Sequence, residues 1–262
     1  MQPALWISKT GLDAQQTDIA NISNNLANAS TVGYKKSRAV FEDLLYQTIN
    51  QAGGISSQNS ELPAGLTLGS GTKVAATQRL FTQGNMQTTD NSLDLMVDGP
   101  GFFQIQLPDG NIGYSRNGQF ALDDEGQLVT PGAGYLLDPG IAIPEDAQSI
   151  TVSAEGEVSV RLNGQAANQV VGQIEISNFI NPTGLEPIGQ NLYLETGASG
   201  APITGVPGLD GLGSLRQGAL ETSNVNVTEE LVNMIESQRI YEMNSKVIST
   251  VDQMLANLNQ QL

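Results

Sequence analysis

Residues 227–262, VTEELVNMIESQRIYEMNSKVISTVDQMLANLNQQL, decide the fold. Val227, Met234, Tyr241, Ile248, Leu255 and Leu262 recur at a spacing of seven, which predicts one long amphipathic helix. Leu231 joins this stripe four residues after Val227, whereas Val251 and Leu258 join it three residues after Ile248 and Leu255, so the register shifts near Ser245. Asn226 is a good N-cap, Glu229 three residues on completes a capping box, and Glu230 adds charge at the positive helix end. Glu242 and Lys246 form a well-oriented i, i+4 pair. A spacing of seven kept this long demands a left-handed superhelix, because a straight helix drifts by about 20° per heptad.

Outward from that helix, the amino-terminal end carries the same theme in a shorter form. Leu5, Leu12, Ile19 and Leu26 recur at spacing seven, and Ile22 and Ala29 add a three-four alternation. Asn21, Asn24, Asn25 and Asn28 fall on the opposite face, where their weak helix propensity makes a packing partner necessary. The helix is expected to end near Asn28 to Ser30, with Gly33 supplying backbone freedom for the exit. Burying a stripe side chain gains about 1.5–3 kcal/mol. Ordering each helical residue costs about 1–2 kcal/mol before hydrogen bonds are counted. A lone helix of this kind frays in water, and two such helices make only a hairpin, so further copies are expected to supply the missing contacts.

Composition narrows the chemistry. The 262 residues include no cysteine and no histidine, which excludes disulfide frameworks, thiol nucleophiles, imidazole bases and the usual zinc sites. A net charge of −16 disfavours nucleic acid and anionic lipid as partners. The apolar runs are far shorter than the roughly 20 residues of a membrane span, so no direct membrane insertion is expected. Residues 1–11 lack a basic leader and an apolar core, so no cleaved signal peptide is expected there. The charge is unevenly placed. Residues 1–79 hold six basic and five acidic groups, residues 80–222 hold three basic (Arg116, Arg161, Arg216) against seventeen acidic, and the remainder holds two against five.

The 29 glycines and 11 prolines point to many short strands between the helices. Pro108-Asp109-Gly110, Asn117-Gly118, Asp124-Glu125-Gly126, Glu155-Gly156 and Asn163-Gly164 separate runs such as 102–107, 127–130, 149–153, 157–162 and 170–176. The fold class is therefore α+β. Long terminal helices (1–34 and 223–262) form a coiled-coil-like pair, residues 35–71 form an extended connector, and 72–222 form a mainly antiparallel β domain. The connector assignment rests on the glycine, serine and glutamine content of 47–71.

Several clusters invite a catalytic reading and are better explained otherwise. Asp123, Asp124 and Glu125 resemble glycosidase carboxylates or calcium ligands only superficially, since they occupy a hairpin turn and lack the alternating oxygens and distal glutamate of a calcium loop. Asp94 with Asp98 is weaker still. Gly69-Ser70-Gly71-Thr72-Lys73 lacks phosphate-loop spacing, and Gly132-Ala133-Gly134 stops short of a dinucleotide fingerprint. Lys35, Lys36 and Arg38 read as a solvated surface beside the helix exit, and Trp6 as a packing or interface residue. No catalytic residue, cofactor or metal is expected.

The motifs at the two ends carry a family resemblance. Asn24-Asn25-Leu26-Ala27-Asn28 with Thr31, Gly33, Tyr34 and Lys35 resembles the amino-terminal signature of the bacterial flagellar rod and hook proteins. Ser223-Asn224-Val225 within 221–227, then Met234-Ile235, Gln238-Arg239, Tyr241-Glu242 and Lys246, resembles the carboxyl-terminal one. Gly99-Pro100-Gly101-Phe102-Phe103 and 114–118 agree in the middle, with Pro100 standing where a small residue is common. Length and the segment 39–49 are most similar to the distal-rod members, with a proximal-rod or hook-like member as the alternative and a carbohydrate-active β-domain enzyme as the distant one.

The resemblance implies a structural subunit without enzymatic activity. Such subunits leave the cytoplasm through the flagellar type III export apparatus without a cleaved signal and polymerise with themselves into a hollow helical shaft spanning the periplasm. The implied neighbours are proximal rod proteins, the hook or hook-rod junction, and the surrounding outer-membrane and peptidoglycan ring. The assembly interface would comprise Leu5, Leu12, Ile19, Ile22, Leu26, Val227, Leu231, Met234, Tyr241, Ile248, Val251, Leu255, Leu258 and Leu262.

Overall fold

In the computed structural model, the backbone is described for residues 2–50, 55–57, 60–61, 64–163 and 167–261, and the side chains for 3–50, 64–163 and 167–257. The α+β class holds, with helices at both ends and antiparallel sheets between them. Helix α1 spans Gln2–Ala27 and helix α2 spans Val227–Gln261. The chain divides into two compact units. The first comprises the residues up to Ala27, Ser37–Arg79 and Asn226 onward, and the second comprises Asn28–Lys36 and Leu80–Val225.

In the first unit, α1 and α2 pack against each other and a β ribbon packs on α1. Asn226 caps α2 as its sequence position anticipates, its Oδ1 accepting the Thr228 N–H at 3.1 Å. The ribbon occupies the stretch expected as an extended connector. Ser37–Asp43 pairs antiparallel with Thr72–Arg79, Ser37 opposite Arg79 and Asp43 opposite Thr72, with a bulge between Val40 and Phe41. The same two strands continue as Gln47–Asn50 against Leu66–Leu68 and as Ile55–Ser57 against Ser60–Glu61. Residues 72–79 thus belong with the helices, and residues 28–36 with the β unit. The sparse apolar content of 47–71 hid this pairing, because an exposed ribbon needs backbone hydrogen bonds and not a buried face.

The second unit is built on a nine-stranded antiparallel sheet. Phe102–Gln106 lies at its centre, between Ile112–Ser115 and Leu136–Asp138. A separate three-stranded meander comprises Ala147–Val152, Glu157–Leu162 and Gln169–Gln173. Alternation sends Val158 and Val160 of the meander into one core with Phe103, Ile105, Ile174 and Ile176, all essentially unexposed. A smaller aromatic cluster gathers Phe102, Tyr114, Phe179 and Tyr193, with edge-to-face ring pairs such as Tyr114 and Phe179 at 4.7 Å.

The acidic turn is what its sequence indicates. Asp123, Asp124 and Glu125 are exposed between Ala121–Leu122 and Leu128–Val129, and the Gly126 N–H closes the turn on Asp123 O at 2.9 Å. Gly126 has φ +74°, and a Cβ there would meet Ile143 O at 2.3 Å, so the turn requires glycine.

Phe103 is completely buried and stacks edge-to-face on Phe120 at 5.2 Å. Phe103→Ala is expected to lower stability by about 3–5 kcal/mol through lost transfer and a residual cavity, read from the denaturant midpoint of the full-length chain.

Candidate assembly site

The seam between α1 and α2 is polar. The Asn25 amide donates to Glu230 Oε2 at 3.2 Å, Ser237 Oγ donates to Asp18 Oδ2 at 2.8 Å, and Gly11 faces Asn244, whose Nδ2 would lie 3.1 Å from an added Cβ. Ser8, Ala14, Ile22, Asn25, Glu230, Ser237 and Val251 are the buried side chains of the pair. By helical periodicity Asn25 falls on the polar back of α1. It is instead 2% exposed, because its side chain holds the backbone of Ser37 from both sides, donating to Ser37 O at 2.7 Å and accepting the Ser37 N–H at 3.0 Å. Asn21 bonds the Ser37 hydroxyl, so two asparagines one turn apart fasten the start of the ribbon to α1.

The heptad stripe read from sequence flanks this seam. Leu5, Leu12, Ile19 and Leu26 are half-buried and lie one residue beyond the polar seam positions of α1; Met234, Ile248 and Leu255 are also half-buried. Ile22 and Val251 are buried, whereas Val227, Leu231 and Tyr241 are each more than 40% exposed. The side chain of Leu258, and Leu262 entirely, lie outside the described residues.

A second apolar stripe, absent from the heptad reading, comprises Val232, Ile235, Met243, Val247 and Met254, all exposed. At 100° per residue Val232 and Ile235 lie opposite the seam, whereas Met243, Val247 and Met254 lie to one side of it. Trp6, 56% exposed, lines a cleft of about 550 Å3 with Ile7, Leu68 and the backbone around Gly69.

The remaining motif residues build a charged centre in the second unit. Glu221, 1% exposed, accepts from Lys35 Nζ at 2.5 Å and from the Gly84 N–H at 2.7 Å on one oxygen, and has Arg116 Nη1 3.5 Å from the other. Lys35 is completely buried, a correction to its reading as solvated surface, and its ammonium also donates to Thr82 O at 2.8 Å. Arg116 donates to Gly99 O at 2.8 Å and stacks on Phe102, 5.2 Å from the ring centre.

The backbone follows the same lines. The Gly33 N–H donates to Glu221 O at 2.8 Å, and at φ +70° a Cβ on Gly33 would meet the Arg116 carbonyl carbon at 2.7 Å. Asn224 accepts the Lys36 N–H at 2.7 Å and donates to Leu80 O at 2.8 Å. Of the other motif residues, Tyr34 and Ser223 are buried, Asn28 and Val225 are half-buried, and Asn24 and Ala27 are exposed. Among the described residues, no group of three or more carboxylates is placed to hold a metal.

Removing the carboxylate charge leaves two buried cations without it. Glu221→Gln is expected to cost about 3–5 kcal/mol of stability in chemical denaturation. Burial holds the Lys35 ammonium below its usual 10.5, Glu221 opposing the shift and Arg116 adding to it. Between the lowered value and 10.5 the unfolded chain binds more protons than the folded one, so stability rises with pH in that window. Wild type should therefore gain stability relative to Lys35→Met as pH climbs toward 10.5, and a flat difference would contradict this.

Three stretches match known families: residues 6–35 the flagella basal body rod protein family, 96–160 the flagellar hook protein FlgE/F/G D1 domain, and 216–261 the flagellar basal body rod FlgEFG protein C-terminal family. The chain is 57% identical over 260 residues to the flagellar basal-body rod protein FlgG of Buchnera aphidicola subsp. Acyrthosiphon pisum, covering 99% of this chain and 100% of that one. It is 51% identical to the protein of that name from Borreliella burgdorferi, covering 99% and 98%, and 40% identical to that of Bacillus subtilis, covering 98% of each. With matching motifs at both ends and near-complete coverage of these relatives, the chain belongs to the flagellar basal-body rod protein FlgG family.

Proposed function

We infer that the chain is a structural subunit of the flagellar basal-body rod, in its distal part, and that its work is mechanical. The observation that carries this reading is the apolar stripe Val232, Ile235, Met243, Val247 and Met254, left exposed on a helix that pairs with α1 through polar groups. In an acidic chain such a stripe is costly to leave in water, and copies of the same subunit are the natural cover. Repeated heterologous contacts that do not close generate a helical filament.

In that filament the paired helices, with the flanking stripe from Leu5 to Leu255, form the layers around a central channel. The β unit forms the outer part, where its excess of carboxylates keeps it hydrated inside the surrounding ring. The shaft carries motor torque to the hook and passes exported proteins along its channel. Proximal rod proteins and the hook or hook-rod junction are its axial neighbours, and the type III apparatus delivers it to the basal body. Among the described residues, no helix is long and apolar enough to cross a membrane.

Electron microscopy of the purified chain is expected to show straight hollow filaments. Ile235→Glu combined with Met243→Glu should abolish them while leaving the unfolding transition of the β unit in place. Filaments undiminished in the double variant would remove the α2 stripe from the interface.

A further inference from the structure

The three contacts between α1 and α2 are in step with one another. Asn25 meets Glu230, Asp18 meets Ser237, and Gly11 meets Asn244, so each seven residues back along α1 matches seven residues forward along α2. Each position also sits where a coiled coil normally places a large apolar side chain. Leucines occur on both helices but are displaced from these positions, and Gly11 within a helix costs about 1 kcal/mol relative to alanine. A heptad stripe of aliphatic residues packs nearly as well after a shift of one heptad, so it specifies pairing without specifying register.

We propose that Asn25–Glu230, Asp18–Ser237 and Gly11–Asn244 are register-determining rungs that allow α1 and α2 to pair in one antiparallel alignment only. A shift of one heptad in one direction sets Asp18 opposite Glu230, two carboxylates in a largely buried seam, and carries Asn25 past the start of α2 at Val227. The opposite shift sets Gly11 against Val251 and carries Glu230 beyond the end of α1 at Ala27, leaving its carboxylate without the Asn25 amide. Both slips replace satisfied polar pairs with repulsion or with unpaired buried groups, which cost more than neutral pairs gain. The rungs thereby fix the relative height of the apolar stripes on the two helices. The proposal concerns the pairing inside one chain and does not depend on polymerisation.

The absence of native cysteine makes the register directly readable by disulfide formation. Gln15, whose buried Oε1 has no partner, lies between the second and third rungs, as does Ile240. In the full-length chain, Gln15→Cys should cross-link with Ile240→Cys, and at least tenfold less with Asn233→Cys or Val247→Cys, which report the two slips. Ser237→Asp, which opposes Asp18 with a second carboxylate, should cut the Ile240→Cys cross-link about tenfold, and adding Asp18→Ser should restore it. Replacing Asp18, Glu230 and Ser237 together by leucine should preserve helix content in circular dichroism and let the slipped pairs cross-link. The proposal is overturned if the unsubstituted rungs give all three cross-links equally or none. It is likewise overturned if Ser237→Asp changes nothing, or if the leucine variant keeps the single native cross-link.

Discussion

The Glu221 carboxylate lies out of water with an ammonium and a backbone N–H on one oxygen and a guanidinium beside the other. Removing a carboxylate from water carries a penalty of several kcal/mol, recovered only where opposite charge and hydrogen bonds are already in position. Those groups come from sequence-distant places: Lys35 follows the first helix, Gly84 and Arg116 belong to the sheet region, and Glu221 precedes the second helix. Each cation's burial is offset by the shared carboxylate, so the pairing ties Asn28–Lys36 and the segment leading to α2 to the same point of the β unit.

Two styles of interaction divide the labour in this chain. Inside each unit, directional polar contacts choose which segments meet: Asn25 on Ser37, Asp18 on Ser237, Asn224 on Lys36 and Leu80. Large aliphatic side chains fill the β core, whereas of those described on the helices only Ile22 and Val251 are buried and the rest stand half-buried beside the seam or exposed. Hydrophobic attraction is strong and indifferent to register, whereas hydrogen bonds are weaker in net terms and exact a penalty when misaligned. A helix pair held by the second kind keeps the first kind available.

Periodicity made the helices and most strands legible. A spacing of seven survives in any sequence whose helices present one face, and turn pairs such as Pro108-Asp109-Gly110 and Asp124-Glu125-Gly126 mark strand ends wherever they fall. The polar seam was not legible, because leucine at positions 5, 12 and 26 dominates a hydrophobicity count while the true seam lies one residue earlier. Asn25 and Lys35 were misread for a related reason. Composition assigns amides and ammonium groups to water, and only the three-dimensional positions of Ser37 and Glu221 reverse that assignment. A signal was present nonetheless, in that Lys35 adjoins Tyr34 and Glu221 lies two residues before Ser223, motif residues that the structure buries. The ribbon at 37–79 escaped because backbone pairing leaves little trace in a segment rich in glycine, serine and glutamine.

Asn224 has a mechanical meaning beyond the bonds it makes. The chain passes between the two units four times, after Ala27, Lys36, Arg79 and Val225. Lys36, Leu80 and Asn224 mark three of those passages, and the Asn224 side chain ties them together. Three segments far apart in sequence thus share one amide side chain as their fastening within the second unit, so a single substitution there loosens all three at once.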